Sequence, residues 1–180
     1  YRLISNKNEY LSSKVVLNTP VFECSEIFLD EDIKNYYKKF EFYDQSAFVI
    51  YLKIDSQKEF LNHYQIILKD TIPNTITKSF FVSFSHKDDG KLSKNGYSVT
   101  ISSHTKALFW NNLSKDEYET KKEFTTKFII DELLKNISDI KKEDINIEFC
   151  ATSKTFKRYI NRFNCGSTPL HLKNIFKIPS

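Results

Sequence analysis

Methionine is absent from the 180-residue chain, and glycine, cysteine and proline occur only three, three and four times. Each shortage excludes something. Three scattered glycines give the backbone no cluster with which to approach a pyrophosphate, so a self-sufficient nucleotide-binding domain is not expected. No phosphate loop, nucleophile elbow or metal signature occurs either. Cys24, Cys150 and Cys165 are odd in number and far apart, with no CxxC pair and no Cys/His zinc spacing. They read as free thiols of a reducing cytoplasm, and Cys165, beside Gly166 in a polar turn, is the one candidate for reactivity. The histidines are isolated from one another, without the i, i+4 pairing of a helical metal site. The longest apolar run, Ala47 to Leu52, is far too short to cross a bilayer, and no charged-then-apolar leader opens the chain. A chain without methionine is expected to be a segment of a longer polypeptide, with Tyr1 not its natural start.

Charge excludes less. The net charge of +4 comes from 27 basic and 23 acidic residues, interspersed so that each lysine pair (38–39, 121–122, 141–142) has acids nearby. These read as solvated faces, and nucleic acid is not an expected partner. What the chain has in plenty is aromatic side chains, 16 Phe and 10 Tyr, within a 40% hydrophobic composition that argues for a packed core over disorder. The length suits one ordinary domain with a stub of another.

Residues 1–22 read as a strand pair around a polar turn at Asn6-Lys7-Asn8, the second strand being Lys14 to Leu17, stopped by Pro20. Two strands make no stable unit alone, so this pair is assigned to a neighbouring domain and residues 23–180 to the main one. Asp30 then caps a helix whose Ile33, Tyr36, Tyr37 and Phe40 share one face. Strands follow at Ser46–Ile54, apolar on both faces and so interior, then at Tyr64–Leu68, Phe80–Ser85 and Tyr97–Ser103. The last of these alternates Tyr97, Val99 and Ile101 with Ser98, Thr100 and Ser102. Asp89-Gly90 and Asn95-Gly96 mark an antiparallel connection between the last two runs.

Ser114-Lys115-Asp116-Glu117 is a capping box opening a helix to Asn136. Its apolar arc contains Phe124, Phe128, Ile129, Ile130, Leu133, Leu134 and Ile137, and is meant to lie on a sheet. Ile145, Ile147 and Phe149 alternate as one face of a final strand. The expected class is α+β: a mostly antiparallel sheet with a long helix packed on one face.

A family resemblance goes further. Tyr97-Ser98-Val99-Thr100-Ile101-Ser102-Ser103-His104-Thr105, then Phe109-Trp110, Leu113-Ser114, Glu117-Tyr118 and Lys121-Lys122, resembles a strand–Trp–helix signature of the phytoene (carotenoid) desaturases. Thr155-Phe156-Lys157-Arg158-Tyr159 with Arg162 is similar to that family's Thr-Phe-x-Arg-Tyr-x-x-Arg segment. Val15-Val16-Leu17-Asn18-Thr19-Pro20, Ser46-Ala47-Phe48 and His63 fall in comparable order. After the Arg-Tyr segment, family members carry more glycine than the Gly166-Ser167-Thr168-Pro169 found here.

The resemblance implies the substrate domain of an FAD-dependent, amine-oxidase-like enzyme, with FAD held by segments outside these residues and an apolar isoprenoid or polyene as substrate. It implies contact with the flavin domain of the same protein, a cytoplasmic location and peripheral contact with a membrane. His104, Trp110, Arg158, Tyr159 and Arg162 are the residues it points toward substrate or flavin. Plainer roles stand beside these: a backbone-bonded His104, a core Trp110, and Arg158 and Arg162 paired with carboxylates. An amine oxidase or polyene isomerase type of flavoenzyme, or a non-enzymatic binding domain, also fits the same scaffold.

Overall fold

The computed structural model describes residues 1–18, 24–38, 43–87, 89 and 95–160. The chain divides into two compact units, Tyr1–Glu41 with Leu170–Ser180, and Phe42–Pro169. In the first, strands β1 (Arg2–Ile4) and β2 (Glu9–Leu11) form an antiparallel hairpin. Its turn is the expected polar one, held by Ser5, whose hydroxyl accepts from the Asn8 amide at 3.1 Å. The second strand, however, is Glu9–Leu11 and not Lys14–Leu17, which has no regular structure. A short turn brings the very next residues into register, and the Arg2–Glu9 ion pair at 2.7 Å fixes that register before Lys14 is reached. Helix α1 (Glu31–Lys38) starts at the expected cap: Asp30 Oδ1 accepts from the Asp32 and Ile33 amides at 2.9 and 3.2 Å. Phe40 lies outside the described residues. This helix belongs to the first unit, on the other side of the division from the strands that follow it.

The second unit is a five-stranded, fully antiparallel sheet. Its strands are β3 (Ser46–Ile54), β4 (His63–Ile67), β5 (Ser79–Phe84), β6 (Tyr97–Thr105) and β7 (Ile145–Ala151), in the order β4-β5-β6-β3-β7. β3 is interior, as its two apolar faces require, flanked by β6 and β7. The connection into β6 turns on Asn95 and Gly96, both with positive φ. A Cβ on Gly96 would run into the Ile54 carbonyl, so only glycine fits there. The alternation expected in β6 holds: Tyr97, Val99 and Ile101 are buried, while Ser98, Thr100 and Ser102 sit on the other face.

Helix α2 (Ala107–Asn111) leads into α3 (Lys115–Asn136), which spans the predicted length in one piece. Tyr118, Thr125, Thr126, Ile129 and Leu133 are its buried residues, against Phe48, Ile50, Phe80, Val82 and Ile101 in the same core. Phe124 is 58% exposed, so the apolar arc is misdrawn there. The inward position goes to Thr125, whose hydroxyl donates to the Lys121 carbonyl and accepts from Asn74 Nδ2, both at 2.9 Å. Phe128, Ile130 and Leu134 are partly buried flanks.

The final strand also departs from simple alternation. Ile145 pairs with Ile54, but the register then slips by a bulge, so that Tyr51 faces Phe149 and Ile50 faces Cys150. The extra residue exchanges the faces: Cys150 turns to the core, and Phe149, 51% exposed, stacks on Tyr51 at 6.1 Å. Helix α4 (Ser153–Ile160) follows at once. No helix among the described residues is long and apolar enough to cross a membrane.

Candidate functional site

The end of β6 and the segments after it build one buried polar cluster. Thr105 faces the core because it continues the alternation of Val99, Ile101 and Ser103. Its hydroxyl accepts from the Trp110 indole N–H at 2.8 Å and donates to the Asn74 carbonyl at 2.9 Å. Trp110 is fully buried, with ring centroids 5.3 Å from Phe48, 5.2 Å from Phe109 and 6.0 Å from Tyr118. A buried indole leaves its N–H costly to strand, and Thr105 satisfies it.

Tyr118, one turn into α3, carries the cluster to α4. Its phenol lies 3.0 Å from the Thr152 hydroxyl and 3.3 Å from that of Thr155. Thr155 returns to the chain by accepting from the Thr152 amide at 3.2 Å, which closes the first turn of α4. Lys154 sits 4.9 Å over the Tyr118 ring and donates to the Leu113 carbonyl at 2.9 Å, while Lys122 lies 5.4 Å from the same ring. Ser153 is buried and donates to the Ala107 carbonyl at 3.0 Å. Upstream, the capping box holds the start of α3, and the Ser114 hydroxyl and amide draw the Glu117 carboxyl below its ordinary pKa.

The candidate residues fall on different sides of this frame. Trp110 is the core anchor, its indole turned away from any open surface. His104 precedes Thr105 on the strand and is therefore exposed on the opposite face of the sheet, where its ring bonds to no described side chain. It borders a shallow cleft of about 290 Å³. Arg158 and Tyr159 are exposed on α4, the guanidinium 5.5 Å from the phenol ring, and Arg158 forms no ion pair among the described residues. Arg162 and Cys165 lie outside the described residues, and Cys150 is a buried thiol. Thus Trp110 joins the buried cluster, while His104 does not.

Thr152 and Asn74 were not legible as members. For Thr152 the signal is present in hindsight, a threonine between a strand and a helix with a second hydroxyl three residues on, the pattern of an N-terminal cap. Asn74 sits at φ 58° in a turn closed by the Thr75 amide on the Ile72 carbonyl at 3.1 Å, and Pro73-Asn74 is the pair such a turn favours, so the turn is signalled in the sequence although its contact with α3 is not. Near the cluster, the Asn111 carboxamide and the Ser46 hydroxyl are buried without a partner among the described residues. The described residues contain no group of side chains set to hold a metal, and no glycine-rich turn that would cradle a dinucleotide. The chain matches no model of a known family, no curated protein and no solved structure.

Proposed function

We propose that this chain is the substrate-side part of an FAD-dependent oxidoreductase of the phytoene desaturase type, acting on an isoprenoid or polyene. One observation supports the reading above others. The two segments that resemble the family, one carrying Thr105, Trp110 and Tyr118 and the other Thr155, meet in one cluster of hydrogen bonds and ring contacts. The α+β frame, a long helix behind an antiparallel sheet, agrees with the architecture the resemblance implies.

The described residues do not themselves fit FAD, since none forms a pyrophosphate cradle, so no chemical step is assigned to them. Their part is to carry the surface that receives substrate. The cytoplasmic location and the contacts with a flavin domain and a membrane surface belong to the same proposal. Two preparations test it: the 180-residue chain, and a longer polypeptide that includes its flanking coding sequence. The longer one is expected to purify with flavin absorbance and the chain alone to bind no FAD on titration. A colourless longer polypeptide, or tight FAD binding by the chain alone, would overturn the reading. The first of these outcomes would favour the non-enzymatic binding domain.

A further inference from the structure

The face of the sheet opposite α3 carries side chains that the buried cluster does not use. In register across three strands, Gln65 of β4 stands opposite Phe81 of β5, and Phe81 opposite Ser102 of β6. His104 follows two residues along β6, on the same face. With Thr77 and Ser79 these residues line the cleft of about 290 Å³, close to the lower end of small-molecule sites at about 300 Å³.

Two features of this lining restrict what it can hold. It contains no Asp, Glu, Lys or Arg side chain, so an ammonium would lose water there without gaining a carboxylate partner, and a carboxylate without gaining a lysine or arginine. Thr77 and Ser79 bond to each other at 3.2 Å, so their hydroxyls already have a partner. The side chains of Gln65, Ser102 and His104, by contrast, make no hydrogen bond with the described residues, and together they offer both donors and acceptors. A pure hydrocarbon would strip water from all three and return nothing. Phe81, 44% exposed between Gln65 and Ser102 and 5.7 Å from the His63 ring, supplies one apolar wall. The combination suits a neutral molecule that presents one oxygen beside an apolar ring.

We propose that this cleft binds the oxygen-bearing end of the ligand, a hydroxyl or carbonyl on an isoprenoid end group, with Gln65, Ser102 and His104 as its hydrogen-bonding residues and Phe81 as its apolar wall. The isoprenoid part rests on the functional reading above. The preference for a neutral oxygenated end rests on the cleft alone.

The 180-residue chain is titrated with β-ionone, with its alcohol β-ionol, and with the deoxygenated hydrocarbon of the same carbon skeleton, while backbone amide shifts are followed by NMR. Saturable shifts centred on Gln65, Ser102 and His104 are expected for the ketone and the alcohol, with at least tenfold weaker binding of the hydrocarbon. Gln65→Leu and Ser102→Ala, both on the solvent face and outside the core, are expected to weaken ketone binding about tenfold, some 1.4 kcal/mol. Neither is expected to weaken hydrocarbon binding. Equal binding of all three probes, shifts centred elsewhere, or no saturable binding would overturn the proposal. The two ideas fail separately. Selective binding of oxygenated probes by a chain whose longer polypeptide carries no flavin leaves the cleft and removes the enzyme. A flavin-loaded polypeptide whose cleft prefers the hydrocarbon does the reverse.

Discussion

Helices α1 and α3 begin alike and end in opposite situations. Each opens on a side-chain cap, Asp30 for α1 and Ser114 for α3, and each carries apolar residues at helical spacing. Yet α1 buries none of its residues, leaving Ile33 38% exposed, while α3 buries five and holds Leu133 and Ile129 almost wholly out of water. In the first unit Tyr37 finds Phe28 (5.6 Å, stacked) and Tyr36 (5.3 Å, edge-on), a local aromatic group around one short helix. In the second, α3 lies on a sheet whose inner face is nearly all apolar. The cap is written in a few neighbouring residues, whereas burial needs a surface elsewhere in the chain. Local pattern therefore locates a helix, and only the partner decides how much it stabilises.

The largest test of that contrast is truncation at matched positions. Leu133→Ala removes a fully buried side chain from the sheet-facing stripe and should cost about 2–5 kcal/mol. Ile33→Ala and Phe124→Ala, both at exposed apolar positions of the two helices, should stay within about 0.5 kcal/mol in chemical denaturation. A Phe124→Ala loss as large as that of Leu133→Ala would mean the buried stripe of α3 is drawn wrongly.

The second test asks whether the cluster at the start of α3 acts as more than core. Tyr118→Phe keeps the ring against Trp110 and deletes the phenol that the Thr152 hydroxyl, fully buried, relies on. An unmatched buried hydroxyl costs about 1–3 kcal/mol. The loss should come with faster amide exchange in α4 and unchanged exchange in β4 and β5, a local signature that simple core loosening would not give. Uniform acceleration through the sheet would assign Tyr118 to packing alone.

Much of this was legible in the sequence, and the exceptions have two causes. The extent of α3, the interior place of Ser46–Ile54 and the alternation of β6 follow from propensity, capping and period, all of which act over a few residues. Phe124 and Phe149 were misjudged because the deciding partner is not a sequence neighbour, whereas the strand at Lys14 was forestalled by a nearer one, Glu9–Leu11, that pairs first. Thr125, bonded by Asn74 from 51 residues away, takes the inward position beside Phe124, and a bulge against Lys53–Ile54 reverses the face of Phe149. The candidate site divides in the same way. Alternation along β6 already sends His104 and Thr105 to opposite faces, so His104 lies across the sheet from the Trp110 indole that bonds to Thr105. The link from Tyr118 to Thr152 crosses 34 residues, and no local rule announces it.

Next in size, the caps should behave alike in both helices even though burial does not. Ser114→Ala and Asp30→Ala each remove acceptors of helix N-terminal amides and should cost about 1 kcal/mol of local helix stability. Hydrogen exchange of the first turns of α3 and α1 reads the two separately. A far larger effect at Ser114 would mean the cap also anchors the Trp110–Tyr118 cluster, and the likeness of the two helix starts would break down.

The smallest expected effect is an acid response confined to α3. The Glu117 carboxylate accepts from the Ser114 amide at 3.1 Å and from its hydroxyl at 2.6 Å, and these bonds favour the charged form and hold its pKa below the ordinary value. A carboxyl whose pKa is depressed on folding adds stability that is fully present above the unfolded value. That stability is lost as pH falls through the folded value. The capping contribution should therefore be constant near neutrality and be lost in acid, as pH falls from the ordinary carboxylate value through the lower one held in the fold. Glu117→Gln retains an oxygen that can reach the Ser114 amide but does not titrate, so its helix start should lack this acid-dependent step. The comparison to make is first-turn amide exchange of α3 in the native chain and in Glu117→Gln, both across the same acid series. Parallel curves for the two would show that protonation of Glu117 does not govern the cap, and the charge-assisted half of the box would have to be abandoned.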